Sequence, residues 1–454
     1  MLFSCILSRK QHLCMDRFLQ NALLNWQKQP KRLPLIIQGA RQVGKTYLMK
    51  WFGKTHFENY AYFNFDERPE LKDFFEMNKD VDRIINSLSL ISGIPINANT
   101  LIIFDEIQEC SEALNTLKYF AEKKPEIPIV CAGSLLGIVL NSGISFPVGK
   151  VNFLTLYPFT FREVLPYWNH NLAQYLNQIK SIEPIPDYFF NDLIDLFKKY
   201  LITGGMPAVL NAFKEEKTFD ACDTVLQNLI LSYQGDFAKH PVMSDVAKIL
   251  QVFSSLPSQL ARENKKFIYQ MVRTGARARE YEDAIQWLIR SGLVYQVKLI
   301  SKPGIPLLAY DDLSAFKLYA LDVGLMRKMA KLSSTAYTEG HRLFTEFKGA
   351  IIENFILQSL VSQFDDMPRY WNSGNTAEVD FVIQHENEII PSEVKSDENI
   401  KSRSLQLYHQ KFNPKLRIRY SLKNLSYQDG LLNIPHFMAD YTKEIINSVV
   451  GLPI

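Results

Sequence analysis

Short apolar runs alternate with amphipathic stretches over the first third of the chain. A helical pattern over 16–28 precedes an apolar run at 33–38, and a second helix is predicted over 45–53. Further apolar runs predict buried strands at 61–65, 100–104, 127–132 and 151–157. Strands that are apolar on both faces are typical of a parallel sheet covered by helices on both sides. The pattern therefore predicts an α/β domain over residues 15–165.

Beyond residue 165 the hydrophobic pattern changes character twice. Long mixed segments predict a helical region over 166–245. Short helical patterns followed by two strand-like runs, GLVYQVKLIS and PLLAYDD, predict a winged-helix-like region over 246–310. From 311 to 454 the pattern is again mixed α/β, with a helix over 346–363 and strands near 377–384 and 389–395.

Composition places the chain among ordinary globular proteins. Its 454 residues favour two or three domains, and a net charge of +3 neither requires nor excludes a nucleic-acid partner. The five cysteines are scattered and lack metal-ligand spacing. We therefore expect a reduced, cytoplasmic protein without disulfides or zinc.

Two apolar stretches do not predict membrane or secretory segments. Residues 127–149 carry no charge, but their prolines and glycines interrupt any continuous helix, so a strand followed by a turn is expected. In residues 1–14 the basic residues follow the apolar run, which argues against a secretory signal and favours a loose N-terminal tail.

The segment GARQVGKT forms a complete GxxxxGK[ST] motif between a predicted strand and a predicted helix. In such a loop, backbone N–H groups cradle the phosphates of a nucleotide at a helix N-terminus. Lys45 would reach the β- and γ-phosphates, and the Thr46 hydroxyl would bind Mg²⁺. The predicted ATP-binding residues are Gly39, Ala40, Arg41, Gln42, Val43, Gly44, Lys45 and Thr46.

Two later strands end in polar residues that suit the same site. The run TLIIF ends in Asp105 and Glu106, at the edge of a parallel sheet where ligands bind. Asp105 would hold Mg²⁺, and Glu106 would orient or deprotonate the attacking water. The third strand ends near Ser134, which would either contact the γ-phosphate or cap a helix.

The order of several motifs resembles a known bacterial and archaeal family. The motifs are GARQVGKT, LIIFDEIQ, CAGSLLG, LYPFTFREVL, TGGMPAVL, FKLYALDVGL and KGAIIENFILQSL. The resemblance is to AAA-like P-loop ATPases fused to a C-terminal domain of uncharacterised function with a restriction-endonuclease-like fold. It implies an ATPase domain, a helical and winged-helix middle and a nuclease-like C-terminal domain.

The chain departs from this family at one position. Such proteins usually carry Gly-Arg before the LxPFxFxE segment, whereas this chain has Gly149 and Lys150. Related P-loop proteins often assemble so that one subunit completes the site of its neighbour, which makes self-association a candidate property. If the family arginine acts across such an interface, Lys150 keeps its charge but not its bidentate geometry.

The C-terminal strands carry an acidic and lysine pattern of the PD-(D/E)xK kind. Strand alternation and a short hairpin would bring Asp380 opposite Glu393, with Lys395 on the same face as Glu393. Glu353, on the preceding helix, would add a third carboxylate. These groups would bind Mg²⁺ or Mn²⁺, with Lys395 activating water at a phosphodiester. The alternatives are a surface ion-pair ladder and a nuclease fold without nuclease activity.

Two basic runs make DNA a candidate partner. Residues 401–423 hold seven Lys or Arg and no acidic residue, and 262–302 hold nine basic against four acidic residues. Such runs either contact a polyanion or form a solvated face.

The sequence therefore favours an ATPase whose nucleotide state is coupled to a DNA-facing C-terminal module. One alternative is an ATP-driven signalling switch with protein partners, in which the C-terminal domain serves recognition only. Another is an active nuclease that ATP gates. A purely structural scaffold would leave the phosphate loop and the acidic strand end unexplained.

Overall fold

A computed structural model describes residues 17–133, 149–179, 181–238, 243–262, 265–334, 345–374, 377–396 and 402–451. The chain folds into two compact units. The N-terminal unit contains Asp16–Tyr157 and a later segment, Gln286–Leu293. The C-terminal unit contains Pro158–Ile285 and Val294–Ile454.

The N-terminal unit is built on a five-stranded, fully parallel sheet with the strand order β2-β3-β4-β1-β5. The strands are β1 (Leu35–Gln38), β2 (Asn59–Asn64), β3 (Thr100–Asp105), β4 (Ile129–Ala132) and β5 (Asn152–Thr155). Every residue of β3 and β4 is buried, as their continuous apolar sequences predict. The predicted α/β class and the N-terminal parallel sheet are therefore confirmed.

Helices connect these strands in the same unit. They are α1 (Leu19–Gln27), α2 (Lys45–His56), α3 (Asp73–Glu76), α4 (Val81–Ser92) and α5 (Ser111–Lys123). One side of the sheet packs in a cluster rich in aromatic residues, including Phe63, Phe65, Phe75 and Phe104. This rigid core fixes the carboxyl ends of β1 and β3, where the predicted site residues lie.

The C-terminal unit begins with a helical region. Its helices are α6 (Phe161–Trp168), α7 (His170–Gln178), α8 (Asp187–Thr203), α9 (Pro207–Glu216), α10 (Phe219–Phe237), α11 (Met243–Leu260), α12 (Tyr269–Val272) and α13 (Ala278–Arg290). The last residues of α13, from Gln286, belong to the N-terminal unit. None of the helices in the described ranges is long and apolar enough to cross a lipid bilayer.

The rest of this unit surrounds an eight-stranded mixed sheet with the order β12-β13-β11-β10-β9-β8-β6-β7. The strands are β6 (Val294–Ile300), β7 (Asp311–Ala320), β8 (Arg369–Asn372), β9 (Glu378–His385), β10 (Glu388–Val394), β11 (Arg417–Ser421), β12 (Ser426–Gln428) and β13 (Leu431–Pro435). The remaining helices are α14 (Val323–Met329), α15 (Thr345–Val361), α16 (Arg403–Phe412) and α17 (Thr442–Val450).

The second strand of the predicted hairpin lies later than the sequence pattern indicated. In the predicted strand PLLAYDD, residues Leu307–Tyr310 form a 3₁₀ helix, and β7 begins only at Asp311. The antiparallel partner of the start of β6 is the segment FKLYA, with Val294 opposite Ala320. Pro303, Gly304 and Pro306 favour a turn, so they extend the connection beyond a tight hairpin.

Two of the motifs that carry the family resemblance meet at one buried carboxylate. Asp322 caps α14 by accepting hydrogen bonds from the N–H groups of Gly324 and Leu325 at 2.9 and 3.1 Å. Its other oxygen accepts the Gly205 N–H of the TGGMP motif at 2.7 Å. A Cβ on Gly205 would lie 1.9 Å from the Phe159 carbonyl oxygen, so only glycine fits there. These two motifs therefore meet inside the C-terminal unit through hydrogen bonds to Asp322 and through the close approach of Gly205 to Phe159.

We expect Gly205→Ala to lower the free energy of unfolding by about 3 kcal/mol, because the added methyl group overlaps the backbone of Phe159. Gly235 is the control, since it lies in α10 and a methyl group added there would meet open space. Gly235→Ala should raise stability by about 0.5–1 kcal/mol. Urea unfolding followed by circular dichroism measures both values, and equal behaviour of the two variants would contradict the packing role.

Candidate nucleotide-binding site

The loop between β1 and α2 has the backbone conformation that its glycines allow. Gly39 and Gly44 have φ angles of 144° and 99°, and Gln42 is also left-handed at 66°. A Cβ on Gly39 would lie 2.2 Å from the Leu156 carbonyl oxygen, so that position requires glycine. Helix α2 then begins at Lys45, directly after Gly44. The loop therefore wraps around a helix N-terminus, where an anion is favoured.

The side chains within the loop divide into two kinds. Ala40 and Val43 are buried and anchor the loop in the N-terminal unit. Arg41 is half-buried and Gln42 is exposed. The buried side chains of Ala40 and Val43 therefore attach the loop to the core of the N-terminal unit.

Lys45 lies inside the loop. Its ammonium group donates hydrogen bonds to the carbonyl oxygens of Gly39 and Ala40, both at 2.8 Å. Burial lowers the pKa of Lys45 to about 8, although the carboxylates of Glu106 and Asp105 act in the opposite direction. The loop thus holds a buried ammonium group beside its own backbone, as a phosphate-binding lysine requires.

The structure brings together Asp105 and Thr46, the two residues expected to hold Mg²⁺ in the N-terminal unit. One carboxylate oxygen of Asp105 accepts hydrogen bonds from the Thr46 hydroxyl at 2.7 Å and from the Tyr62 hydroxyl at 2.9 Å. Burial raises the pKa of Asp105, whereas these two hydrogen bonds lower it. Oxygen donors of this kind suit Mg²⁺, so the arrangement fits the predicted metal ion.

Glu106 has a strained backbone and a partner that the sequence analysis missed. Its φ of 48° is in the left-handed region, which is uncommon for residues other than glycine and often occurs at functional sites. Its carboxylate accepts a hydrogen bond from the Gln108 amide at 2.6 Å. Glu106 is therefore held in a defined direction at the edge of the sheet.

Tyr62 is a second missed residue. It lies on β2, which neighbours β3, and burial raises its pKa, with the Asp105 carboxylate acting in the same direction. The signal was present in the AYFNF run, where Tyr62 and Asn64 alternate with buried apolar residues near the carboxyl end of the strand. Strand order decides whether such residues reach the site, and the order is not visible in the sequence.

Two further positions from the sequence analysis lie away from these contacts or outside the described residues. Ser134 lies outside the described residues. Lys150, which stands where the family usually has arginine, forms an ion pair with Glu122 at 3.0 Å.

In the C-terminal unit, Glu353 is surrounded by cationic and hydroxyl groups. Its carboxylate accepts hydrogen bonds from Lys265 and from the Tyr319 hydroxyl, and the ammonium group of Lys317 lies 3.6 Å away. Lys317 is fully buried and also pairs with Glu378 at 2.6 Å. Burial opposes ionisation of Glu353, but the two lysines lower its pKa to about 2.

Asp380 and Glu393 lie beside one paired position of the antiparallel strands β9 and β10, where Ser392 is opposite Phe381. The Asp380 carboxylate accepts the backbone N–H of Val394 at 2.8 Å, and burial together with Glu353 raises its pKa to about 7. Glu393 instead pairs with Lys395 at 2.6 Å. In the described part of the chain, no three acidic, histidine or cysteine side chains form a group that could hold a metal ion. Beside Glu353, the ammonium groups of Lys265 and Lys317 supply the positive charge that a metal ion was expected to supply.

Three family models match successive parts of the chain. Residues 31–165 match an AAA domain. Residues 194–336 match a domain of unknown function, DUF8612, and residues 348–437 match another, DUF4143. None of the curated proteins compared with the chain matched it.

Several solved structures are similar to the chain at low identity. The Walker-type ATPase paby2304 of Pyrococcus abyssi is 14% identical, with a TM-score of 0.45, and the match covers 72% of this chain and 99% of that one. The RuvB Holliday junction branch migration motor of Thermotoga maritima is 14% identical over 61% of this chain and 86% of its own, with a TM-score of 0.28.

Drosophila ORC bound to DNA is 12% identical over 69% of this chain and 94% of its own, with a TM-score of 0.27. At these TM-scores the structural similarities add nothing to the family matches. The matches and the loop geometry agree for the N-terminal unit. The chain therefore contains a P-loop ATPase domain of the AAA type and a C-terminal domain of the DUF4143 type.

Proposed function

We propose that this protein binds ATP with Mg²⁺ at Gly39–Thr46 and hydrolyses it with Glu106 as the catalytic base. The observation that carries the proposal is the hydrogen bond between Thr46 and Asp105, which lies beside the buried ammonium group of Lys45. A hydroxyl, a carboxylate and a lysine at one loop form the polar set that a metal-bound triphosphate needs.

Each residue has a distinct part in this proposal. Backbone N–H groups of the loop hold the phosphates, and Lys45 moves from its carbonyl partners to the phosphate oxygens. Thr46 and Asp105 would hold Mg²⁺, which would supply positive charge to the phosphates of the bound nucleotide. Glu106, oriented by Gln108, accepts a proton from the attacking water.

Replacing Lys45 by alanine should weaken ATP binding at least about thirtyfold, because a buried charge that contacts the phosphates is lost. Isothermal titration calorimetry with ATP and Mg²⁺ measures the effect. Lys54→Ala is the control, since Lys54 is exposed at the far end of the same helix. Wild-type affinity in the Lys45 variant would remove the basis of the proposed function.

Glu106→Gln should keep ATP binding but reduce turnover about a hundredfold, because the amide cannot accept a proton. Phosphate release at saturating ATP measures the turnover. Glu109→Gln is the matched control, since Glu109 is exposed three residues away. Turnover that falls equally in both variants would assign the base to another residue.

For the C-terminal unit we propose recognition without DNA cleavage. The order of α15, the antiparallel β8-β9-β10 and β11 parallel to β10 supports the restriction-endonuclease-like fold that the resemblance implies. The pairing of Glu353 with Lys265 and Lys317 argues against a metal ion at that carboxylate. Glu353, Glu378 and Glu393 each form an ion pair with at least one lysine of this unit.

Exposed arginines favour DNA as the partner of this unit. Arg273, Arg277 and Arg279 are exposed around the turn before α13. The basic side chains of β11 are engaged within the chain, with Arg417 on the Asp429 carbonyl and Arg419 on the Asn433 amide. The turn therefore offers the better surface for a phosphate backbone.

The full-length protein should bind duplex DNA with an affinity that falls steeply as salt increases, and plasmid incubated with Mn²⁺ should remain supercoiled. Replacing the three arginines of the turn by alanine should weaken DNA binding. It should also make the slope of log K against log salt concentration less negative by up to about three. Absence of binding at low salt would favour the protein-directed switch. If the wild type nicks the plasmid and Asp380→Ala and Lys395→Ala abolish the nicking, the proposal of recognition without cleavage is overturned.

A further inference from the structure

Arg17 is a buried cation behind the phosphate loop that no sequence motif includes. Its side chain is only 7% exposed. One terminal nitrogen donates a hydrogen bond to the Val43 carbonyl at 2.7 Å, and the other donates to the Tyr157 carbonyl at 3.0 Å. Burying a guanidinium group is unfavourable unless its donors are satisfied, so these two contacts fix the position of the side chain.

The contact with Val43 also determines the direction of a neighbouring amide. The Val43 carbonyl and the Gly44 N–H belong to the same planar peptide unit, in which the two groups point in opposite directions. Because Arg17 holds the carbonyl on the outer side of the loop, the Gly44 N–H is directed to the opposite side. In a GxxxxGK[ST] loop, such inward N–H groups contact the phosphates.

The charge of Arg17 strengthens the same amide. A hydrogen bond from a cation polarises the peptide that accepts it, which makes the N–H at its other end a better donor. Gly44 has a φ of 99°, a conformation that a free peptide would readily leave. The guanidinium group therefore stabilises one orientation of a peptide that is otherwise able to flip.

The contact with Tyr157 holds the segment that packs against the beginning of the loop. Leu156 donates its N–H to the Gln38 carbonyl at 2.8 Å, and its own carbonyl oxygen lies against Gly39. Arg17 binds the next carbonyl along the chain. One side chain thus ties the end of the loop at Val43 to the segment that supports its beginning at Gly39.

We propose that Arg17 is a positioning residue for phosphate binding, which holds the Val43–Gly44 peptide so that the Gly44 amide faces the nucleotide. This inference rests on the proposed ATP-binding function of the loop. Arg17 itself does not contact the nucleotide. Its loss therefore weakens binding of the phosphate chain and leaves the chemical step at saturating ATP largely intact.

The test compares Arg17→Met, Arg17→Lys and Arg32→Met in the full-length protein. Arg32 is the matched control, because it also donates to two carbonyls of the N-terminal unit, those of Gln27 and Glu126, away from the loop. Dissociation constants are measured for a fluorescent ATP analogue and, by competition, for inorganic triphosphate. Turnover at saturating ATP and thermal unfolding midpoints are recorded for each variant.

Arg17→Met should raise the dissociation constants of both ligands by the same factor, about tenfold or more, with little change in turnover at saturating ATP. Arg17→Lys should lie between this variant and the wild type, because lysine keeps the positive charge but lacks the fixed planar fork of the guanidinium group. Arg32→Met should bind both ligands as the wild type does, even where its unfolding midpoint falls.

Wild-type affinity for both ligands in folded Arg17→Met would overturn the inference. If Arg17→Met does not fold, wild-type affinity for both ligands in Arg17→Lys would overturn the inference instead. A loss for the ATP analogue but not for inorganic triphosphate would also overturn it, since the amide faces the phosphates. Failure of the proposed function is a different result, in which the wild type binds neither ligand and Lys45→Ala changes nothing.

Discussion

The hydrogen bond between Thr46 and Asp105 is the contact on which the proposed nucleotide site depends. It joins the start of α2 to the end of β3, although β4 lies between β3 and β1 in the sheet. Parallel strands place all their carboxyl ends at one edge, so residues far apart in sequence meet there. Tyr62 from β2 completes the arrangement by donating to the same carboxylate oxygen.

The phosphate loop is supported by segments from distant parts of the chain. Arg17 holds its end, and the Leu156 carbonyl lies against Gly39 at its beginning. Gly292, in the segment that follows α13, approaches Ala40 so closely that a Cβ would lie 3.3 Å from its backbone nitrogen. These segments pack against the loop and hold its backbone, which would lower the cost of ordering it in the proposed binding of ATP.

The buried charged side chains of the two units differ in how far neighbouring groups compensate their charge. In the N-terminal unit, burial lowers the pKa of Lys45 and raises that of Asp105, so both charges are poorly compensated within the protein. In the C-terminal unit, Lys265 and Lys317 compensate Glu353 and keep its pKa low. Asp380 is the exception in that unit, because burial and the Glu353 carboxylate raise its pKa to about 7.

The sequence by itself determined the local parts of this protein. Continuous apolar runs specified the buried parallel strands, and the spacing of GARQVGKT specified a glycine-bearing loop before a helix, because both are local patterns of the sequence. The tertiary structure decided which distant groups meet. Strand order brought Tyr62 to Asp105, burial placed Arg17 behind Val43, and lysines from β7 and from the segment before α12 neutralised Glu353. These pairings depend on contacts between residues up to 88 positions apart, which periodicity and motif spacing do not encode.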